Sequence, residues 1–283
     1  MSIELRQTRA EDVPELGRIC YEAFKNISES HGFPTDFSTV EFAQQVIGML
    51  TAQEDIYGVG AFDGAAAKGS NFVELWDDVA GIGPVSVDVN SQGEGIGRTT
   101  MQHVIAHARE QGFEMIRLVQ DSFNMRSLAL YASLGFDLKE PLSYLTLSPE
   151  RGMDANVRAA TPEDTPAMDE LCRDIYRISR RNEIESIMRL GFPAFVLDRG
   201  GVRGYLIGTA LGHGVTQSDD DMVALLNTLG AIVQDAHTLL PLRNGELYRK
   251  ALAAGHKNQK VMNLMALGPY EEPRGTFCPS VLL

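Results

Sequence analysis

The sequence predicts an α+β protein of two tandem copies of one fold, each a mixed central sheet flanked by helices. Three observations carry this. The chain has 283 residues, where one domain takes roughly 100–200. Strand-like and helical segments mix without the strict alternation of a parallel α/β fold. And the chain repeats itself at an offset of 152: Arg6, Glu11, Asp12, Pro14 and Cys20 match Arg158, Glu163, Asp164, Pro166 and Cys172, with Leu16 and Ile19 against Met168 and Leu171. Each copy reads as strand, turn and helix, with the acidic pair in the helix's first turn, where the dipole favours it. The polar run Ser148-Pro149-Glu150-Arg151-Gly152 marks the expected boundary, giving domains 1–150 and 151–283.

The elements of the first copy follow in order. Residues 4–8 read as a strand, 12–24 and 42–50 as helices. Residues 57–62 and 65–72 are strand-like, joined by Asp63-Gly64, a type I′ hairpin signal. Residues 82–89 form a strand with Val85, Val87 and Val89 on one face, and 97–111 a helix. A strand at 115–121, a helix at 127–134 and a strand at 142–147 complete the domain.

Composition limits the function. Hydrophobic residues make up 44% and charged ones 22%, the balance of a globular protein. No apolar run is long enough to span a bilayer, and the N-terminus lacks the basic and apolar regions of a secretory signal. Cys20, Cys172 and Cys278 are too few and too scattered for a disulfide framework or a zinc site, so the expected home is the cytoplasm and no metal is expected. The net charge is −13, and residues 1–150 carry 10 Lys and Arg against 22 Asp and Glu. Such a surface repels phosphate backbones, which excludes nucleic acid and favours a cationic ligand.

The most informative stretch is Val87-Asp88-Val89-Asn90-Ser91-Gln92-Gly93-Glu94-Gly95-Ile96-Gly97-Arg98. A strand enters a glycine-rich turn and then a helix. Glycines let backbone N–H groups converge, the helix N-terminus adds positive dipole, and Arg98 adds a charge; together they form a pyrophosphate cradle. A Rossmann fingerprint needs glycine at 98, where Arg98 stands. The pattern Gln-x-x-Gly-x-Gly is met by Gln92, Gly95 and Gly97.

Downstream runs Asn124-Met125-Arg126-Ser127-Leu128-Ala129-Leu130-Tyr131-Ala132-Ser133-Leu134-Gly135-Phe136. In order and spacing, the two motifs resemble the GNAT superfamily of N-acetyltransferases, whose pattern is V-x-P-x-x-Q/R-x-x-G-x-G/A followed by N-x-x-A/S-x-x-L-Y-x-x-x-G-F. The resemblance covers residues 3–147 and implies a coenzyme site between splayed parallel strands. Acetyl-CoA is then the co-substrate, its pantetheine paired with Val87, Asp88 and Val89 and its pyrophosphate on the N–H groups of Gln92, Gly93, Glu94, Gly95, Ile96, Gly97 and Arg98. It also implies coenzyme contacts from Asn124 and Ser127, and Tyr131 as general acid. The chemistry agrees: a tyrosine stays protonated at neutral pH and can donate to a departing thiolate. Two positions depart from the family pattern: Glu94 stands where Lys or Arg is common, and Val89 where Pro is.

The general base is left open among Asp88, Glu74, Asp77, Asp78 and Asp121, each of which reads more readily as a solvated surface acid. His103 and His107 share a helix face, but without the glutamate of a zincin motif they read as a polar face.

The second half reads as a degenerate copy. Asn244 to Gly255 repeats the spacing of Asn124 to Gly135, but Ala251 falls where Tyr131 stands. The loop before a helix at 222–229 is Thr216-Gln217-Ser218-Asp219-Asp220-Asp221, with carboxylates in place of the glycines. This half is therefore expected to be structural or substrate-shaping. The stretch 261–267 reads as apolar surface, and the apolar tail 277–283 is expected to dock into a sheet or an interface, which admits a homodimer.

The function expected is acetyl transfer to a primary amine of a cationic small molecule or peptide by direct attack, away from membranes. The matching helix positions of Cys20 and Cys172 argue for core packing over a covalent intermediate. The alternative is a non-catalytic acetyl-CoA-binding sensor or regulatory protein.

Overall fold

The structure, a computed structural model, describes residues 3–208 and 212–281. The chain forms two compact units. The first comprises Met1–Leu75, Ala80–Arg117 and Phe123–Phe136; the second comprises Trp76–Val79, Leu118–Ser122 and Asp137–Leu283.

In the first unit, β1 (Ile3–Gln7) turns into α1 (Val13–Ser30). The turn is fixed by a fork of two hydrogen bonds from Arg6 to Asp12, both 2.7 Å. α1 buries Leu16, Ile19, Cys20 and Ala23, the i, i+3, i+4, i+7 stripe of an amphipathic helix, and outruns its expected end at Phe24. Then come α2 (Val40–Ala52), capped by Thr39, and the hairpin of β2 (Ile56–Asp63) and β3 (Ala66–Glu74). Its two-residue loop is Gly64-Ala65, and only Gly64 has positive φ, +60°. That is the type II′ pattern, a correction to the type I′ turn expected at Asp63-Gly64.

The strand expected at 82–89 is two pieces, β4 (Val79–Ile82) and β5 (Ser86–Val87), separated by Pro84, which has no N–H to give a ladder. Val89 lies beyond the strand, in a single 3₁₀ turn, Val89–Ser91. α3 (Ile96–Glu110), β6 (Met115–Asp121) and α4 (Met125–Ser133) follow. The strand order is β1-β2-β3-β4-β6, with β5 pairing β3; β4 and β6 run parallel within an otherwise mixed arrangement.

In the second unit, β7 (Asp137–Thr146) lies between two antiparallel neighbours, β12 (His237–Pro241) and β13 (Lys257–Leu267). This pairing is why the compact units do not divide near residue 150. β13 in turn lies beside Leu118–Ser122, with Ser122 N–H bonded to Val261 C=O at 3.0 Å. The second sheet has the order β14-β11-β10-β9-β8, built from β8 (Val157–Ala159), β9 (Ala194–Asp198), β10 (Val202–Ile207), β11 (Gly214–Thr216) and β14 (Thr276–Cys278), all antiparallel. Its helices are α5 (Thr165–Ile175), α6 (Arg181–Arg189), α7 (Asp219–Ile232) and α8 (Gly245–Ala253). Leu197, Leu206, Leu225, Leu229, Leu240 and Leu247 form its core.

The sequence repeat is a repeat of contacts. Arg158 forks onto Asp164 at 2.7 and 2.8 Å as Arg6 does onto Asp12, and Cys20 and Cys172 are both fully buried. The stretch 261–267, expected at the surface, is core: Leu264, Met265 and Ala266 are at most 2% exposed. The tail docks as β14 through Cys278; Leu282 and Leu283 lie outside the described residues.

Candidate active site

β5 pairs with β3 through Gly69–Val87 and Ser70–Ser86, and among the described residues its other edge has no strand partner. Beyond it, the Asp88 carboxylate accepts the Asn90 N–H at 3.0 Å and lies 3.8 Å from Arg18. Asp88 is thus a turn cap. The chain then runs through Gln92, Gly93, Glu94 and Gly95, all exposed, and is anchored by buried Ile96.

Gly93 and Gly95 have φ of +97° and +89°, the left-handed region that a side chain would strain. Gly95 is the N-cap of α3 and supplies no side-chain acceptor, so the first-turn N–H groups of α3 are left for an external acceptor. At Gly97 a Cβ would touch Val87 and Leu130, each at 3.6 Å, which puts this glycine in the crevice between β5 and α4. Exposed Glu94 faces water, so its charge is compatible with an anion on the loop's N–H groups.

The cations are arranged differently from expectation. Arg98 donates to Ser133 Oγ on α4 at 2.6 Å. Arg126 reaches over the loop: it donates to Gln92 Oε1 at 3.2 Å, and its guanidinium lies 3.1 Å from where a Cβ of Gly93 would stand. Sequence reasoning passed over Arg126. The available signal was its position two residues after the α4 cap, where the second copy has Glu246.

Asn124 caps α4 by accepting the Ser127 N–H at 3.1 Å. Tyr131 is 7% exposed and its ring tilts against Phe136. Burial pushes its hydroxyl up to about 12, opposed by a hydrogen bond with the Ser127 side chain.

Most of the candidate bases already have partners. Asp77 accepts the N–H groups of Asn182 and Glu183 at 2.9 and 3.1 Å, and Asp78 that of Ser179 at 2.7 Å. Asp121 pairs with Lys260 at 2.8 Å, both buried. Glu74 is 4% exposed within β3. His103 and His107 pack on one tyrosine: His103 hydrogen-bonds the Tyr57 hydroxyl at 2.9 Å and His107 stacks on its ring at 3.8 Å. Among the described residues no group of three His, Cys, Asp or Glu is placed to hold a metal ion. Burial raises the thiols of Cys20 and Cys172, which suits packing and not nucleophilic attack.

In the second unit Asn244 caps α8 with φ and ψ of −82° and 73°, against −82° and 74° at Asn124. Ala251, fully buried, takes the place of Tyr131. α7 begins at Asp219, three residues earlier than expected, and Ser218 caps it by accepting the Asp221 N–H at 3.2 Å. Each aspartate has a partner: Asp219 accepts from Asn244 at 2.8 Å and Thr276 at 2.6 Å, Asp220 meets Lys250 and Asp221 meets Arg199, both at 2.8 Å.

Among the described residues, a strand without a partner on one edge thus runs into an exposed glycine loop and a helix with no side-chain cap. Residues 4–136 match the model of the acetyltransferase (GNAT) family. The match covers 133 of the 283 residues, nearly all of them in the first unit. Among solved structures the chain is similar to a putative acetyltransferase from Pyrococcus horikoshii, with a TM-score of 0.80 and 18% identity over 99% of this chain and 94% of the other. It is also similar to a GCN5-related N-acetyltransferase from Sphaerobacter thermophilus, with a TM-score of 0.65 and 15% identity over 97% and 98% of the two chains. At these identities the likeness is one of fold. No curated protein matches the chain.

Proposed function

We propose that the chain transfers an acetyl group from acetyl-CoA to a primary amine, with a single coenzyme site in the first unit. The observation that carries this reading is the open edge of β5 leading into the loop Gln92–Arg98 and the side-chain-free cap of α3. The residues fit the co-substrate. Pantetheine carries two amides, which the strand edge at Ser86–Val87 can satisfy once the long 3.3 Å bond from Gln92 Nε2 to the Val87 C=O gives way. Its diphosphate suits the converging N–H groups of residues 93–97, with Arg126 above them. Gly97 leaves room for the arm to pass between Val87 and Leu130.

The amine attacks the thioester carbonyl; the C–N bond forms, the C–S bond breaks, and the sulfur leaves with the electron pair. The amine's proton passes to water. Tyr131 faces the other charge. With its hydroxyl pushed up to about 12, it is a weaker acid than a thiol near ~8.5. Its contribution is therefore hydrogen-bond donation to the charge developing on sulfur, ahead of any complete transfer. The acidic bias of the first half favours a cationic amine in a small molecule or peptide as acceptor.

The second unit serves as a degenerate copy in this scheme, structural or substrate-shaping. Calorimetric titration with coenzyme A, followed by a panel of amines assayed for thiol release, tests the reading. One site per chain and amine-dependent thiol release are expected. Two equivalent sites, or no thiol release with any amine, would overturn it.

A further inference from the structure

The second unit's counterpart of the coenzyme cleft is already full. β11 follows β10 and precedes α7, as β5 follows β3 and precedes α3. Where β5 has an open edge, β11 has a second partner: β14 pairs with it antiparallel through Gly214–Cys278, Val215–Phe277 and Thr216–Thr276. β14 also packs against β12, the counterpart of β6, so it fills the gap between the two strands.

The segment is held as a ligand is held, by groups from every wall of the cleft. At the N-terminus of α7, Asp219 accepts from Thr276 Oγ1 at 2.6 Å and from Asn244 Nδ2 at 2.8 Å. Arg243 donates to Pro273 C=O at 3.2 Å and lies over the Phe277 ring at 5.6 Å. Arg180, 2% exposed, donates to Ser280 Oγ at 3.0 Å, and Arg274 N–H bonds to Ile175 C=O at 2.7 Å. Thr276, Phe277, Cys278 and Ser280 are at most 5% exposed. A carboxylate of the chain stands at the helix N-terminus where the first unit leaves room for an anion, and a peptide strand lies along the edge that the first unit leaves open.

We propose that the second unit is a strand-binding cleft whose ligand is the chain's own segment 272–281, bound by β-augmentation. The inference rests on reading the second unit as a copy of the first. It makes that unit a peptide site closed in cis. The chemistry it recognises is an extended backbone with a hydroxyl at the Thr276 position and an aromatic ring at the Phe277 position.

The test uses the full chain with a specific protease site inserted between exposed Glu271 and Glu272. After cleavage, a fluorescein-labelled peptide of residues 272–283 should exchange into the protein with a saturable rise in anisotropy. Asp219→Asn should weaken that binding roughly tenfold, since it removes a charged acceptor from two hydrogen bonds. Excess coenzyme A should not displace the peptide. A cut chain that retains its fold but takes up no peptide, or that releases it to coenzyme A, overturns the proposal.

If cutting unfolds the protein, hydrogen exchange on uncut Thr276→Val decides. Faster exchange confined to residues 276–278 and β11 supports an individually held segment; a uniform rise across the second unit makes β14 an ordinary core strand and overturns it. Coenzyme titration of the same samples separates the two readings. Loss of all coenzyme binding would count against the first unit's assignment and leave the peptide result standing.

Discussion

In the first unit, among the described residues, β5 has no strand partner on one edge and leads to α3, whose cap, Gly95, brings no side chain; in the second, β11 is paired on both edges and α7 is capped by Ser218, with Asp219 bound by Asn244 and Thr276. The helices opposite these clefts, α4 and α8, are built alike. Each has nine residues, an asparagine cap with nearly the same dihedrals, and a glycine at φ +95° past its end. The asparagine and glycine of the motif are therefore helix terminators first. They persist in the second copy, where Ala251 stands in the position of Tyr131. What differs is the set facing the cleft: Arg126 against Glu246, Ser127 against Leu247, and Tyr131 against Ala251. On the proposed reading, specificity for a ligand lies in those positions and in the glycine loop, while the repeated residues carry the fold.

The sharpest way to break this comparison is Tyr131→Phe. The change keeps the buried ring and removes the hydroxyl, half-way to the alanine of the second copy. We expect kcat to fall about 10²–10⁴-fold, the range typical for removing a proton donor, with coenzyme affinity nearly unchanged. Steady-state kinetics together with calorimetry checks the split. Unaltered turnover would reduce Tyr131 to a packing residue and bring the two helices closer in function.

Gly97→Glu should give the next largest effect. A Cβ there meets Val87 and Leu130 at 3.6 Å, an ordinary contact, and Gly97 has no positive φ, so the fold should survive. The carboxylate instead places in the first cleft what Asp219 places in the second. Coenzyme binding should weaken roughly 100-fold or more, through like-charge repulsion and lost space. Thermal unfolding should stay near that of the wild type. Normal binding by a folded variant would move the diphosphate elsewhere.

How much of this could be read from the chain alone depends on the range of the forces involved. The glycine loop was legible because positive φ at Gly93 and Gly95 is a local demand that few other residues meet. The matching positions Arg6 and Asp12 were legible in the repeat, and the fork they form joins residues only six apart. Strand pairing is not local, so nothing in 137–146 announced that β7 would lie between β12 and β13. For the same reason 261–267 read as surface until a neighbour strand covered it. Arg126 was missed because the loop it covers is 34 residues away in sequence. Asp77 and Asp78 looked like solvated acids until the N–H groups of residues 179–183 came to them.

The comparison also predicts a difference in acid sensitivity. Phe136 of the first copy corresponds to His256 of the second, both at most 3% exposed. His256 Nδ1 accepts the Ser148 N–H at 3.0 Å, and burial, helped by Arg151, pushes the imidazole down to about 4. Unfolded, it titrates near ~6.5. Its folded-state value is depressed, so between these values the unfolded state binds more protons. The stability is present above about pH 6.5 and lost as pH falls toward 4, by up to about 3 kcal/mol. Hydrogen exchange at pH 7 and pH 4.5 should show the second unit losing protection more than the first. His256→Phe should flatten that slope while lowering stability at pH 7 by about 1 kcal/mol, because the Ser148 N–H loses its acceptor. A slope unchanged in the variant would assign the acid sensitivity to other groups.

The smallest effect, and the finest probe of the difference between the clefts, belongs to Arg126. The residue is exposed, so an ion pair with a diphosphate is screened and contributes about 1 kcal/mol or less. Arg126→Gln should therefore weaken coenzyme binding by no more than about 5-fold, and kcat at saturating coenzyme should not change, since the thioester is remote from the diphosphate. Arg126→Glu installs the charge of Glu246 and should weaken binding further, by repulsion as well as by loss. Both losses should shrink as salt rises from about 0.05 M to about 0.5 M, because the Debye length contracts below the span of the pair. Calorimetry at the two salt concentrations separates charge from geometry. A salt-dependent loss places the guanidinium on the diphosphate. A loss that ignores salt means that Arg126 acts through its 3.2 Å hydrogen bond to Gln92, holding the loop in shape. No loss in either variant at low salt would mean that the loop's N–H groups suffice alone, and that the charge reversal between the copies plays no part in coenzyme binding.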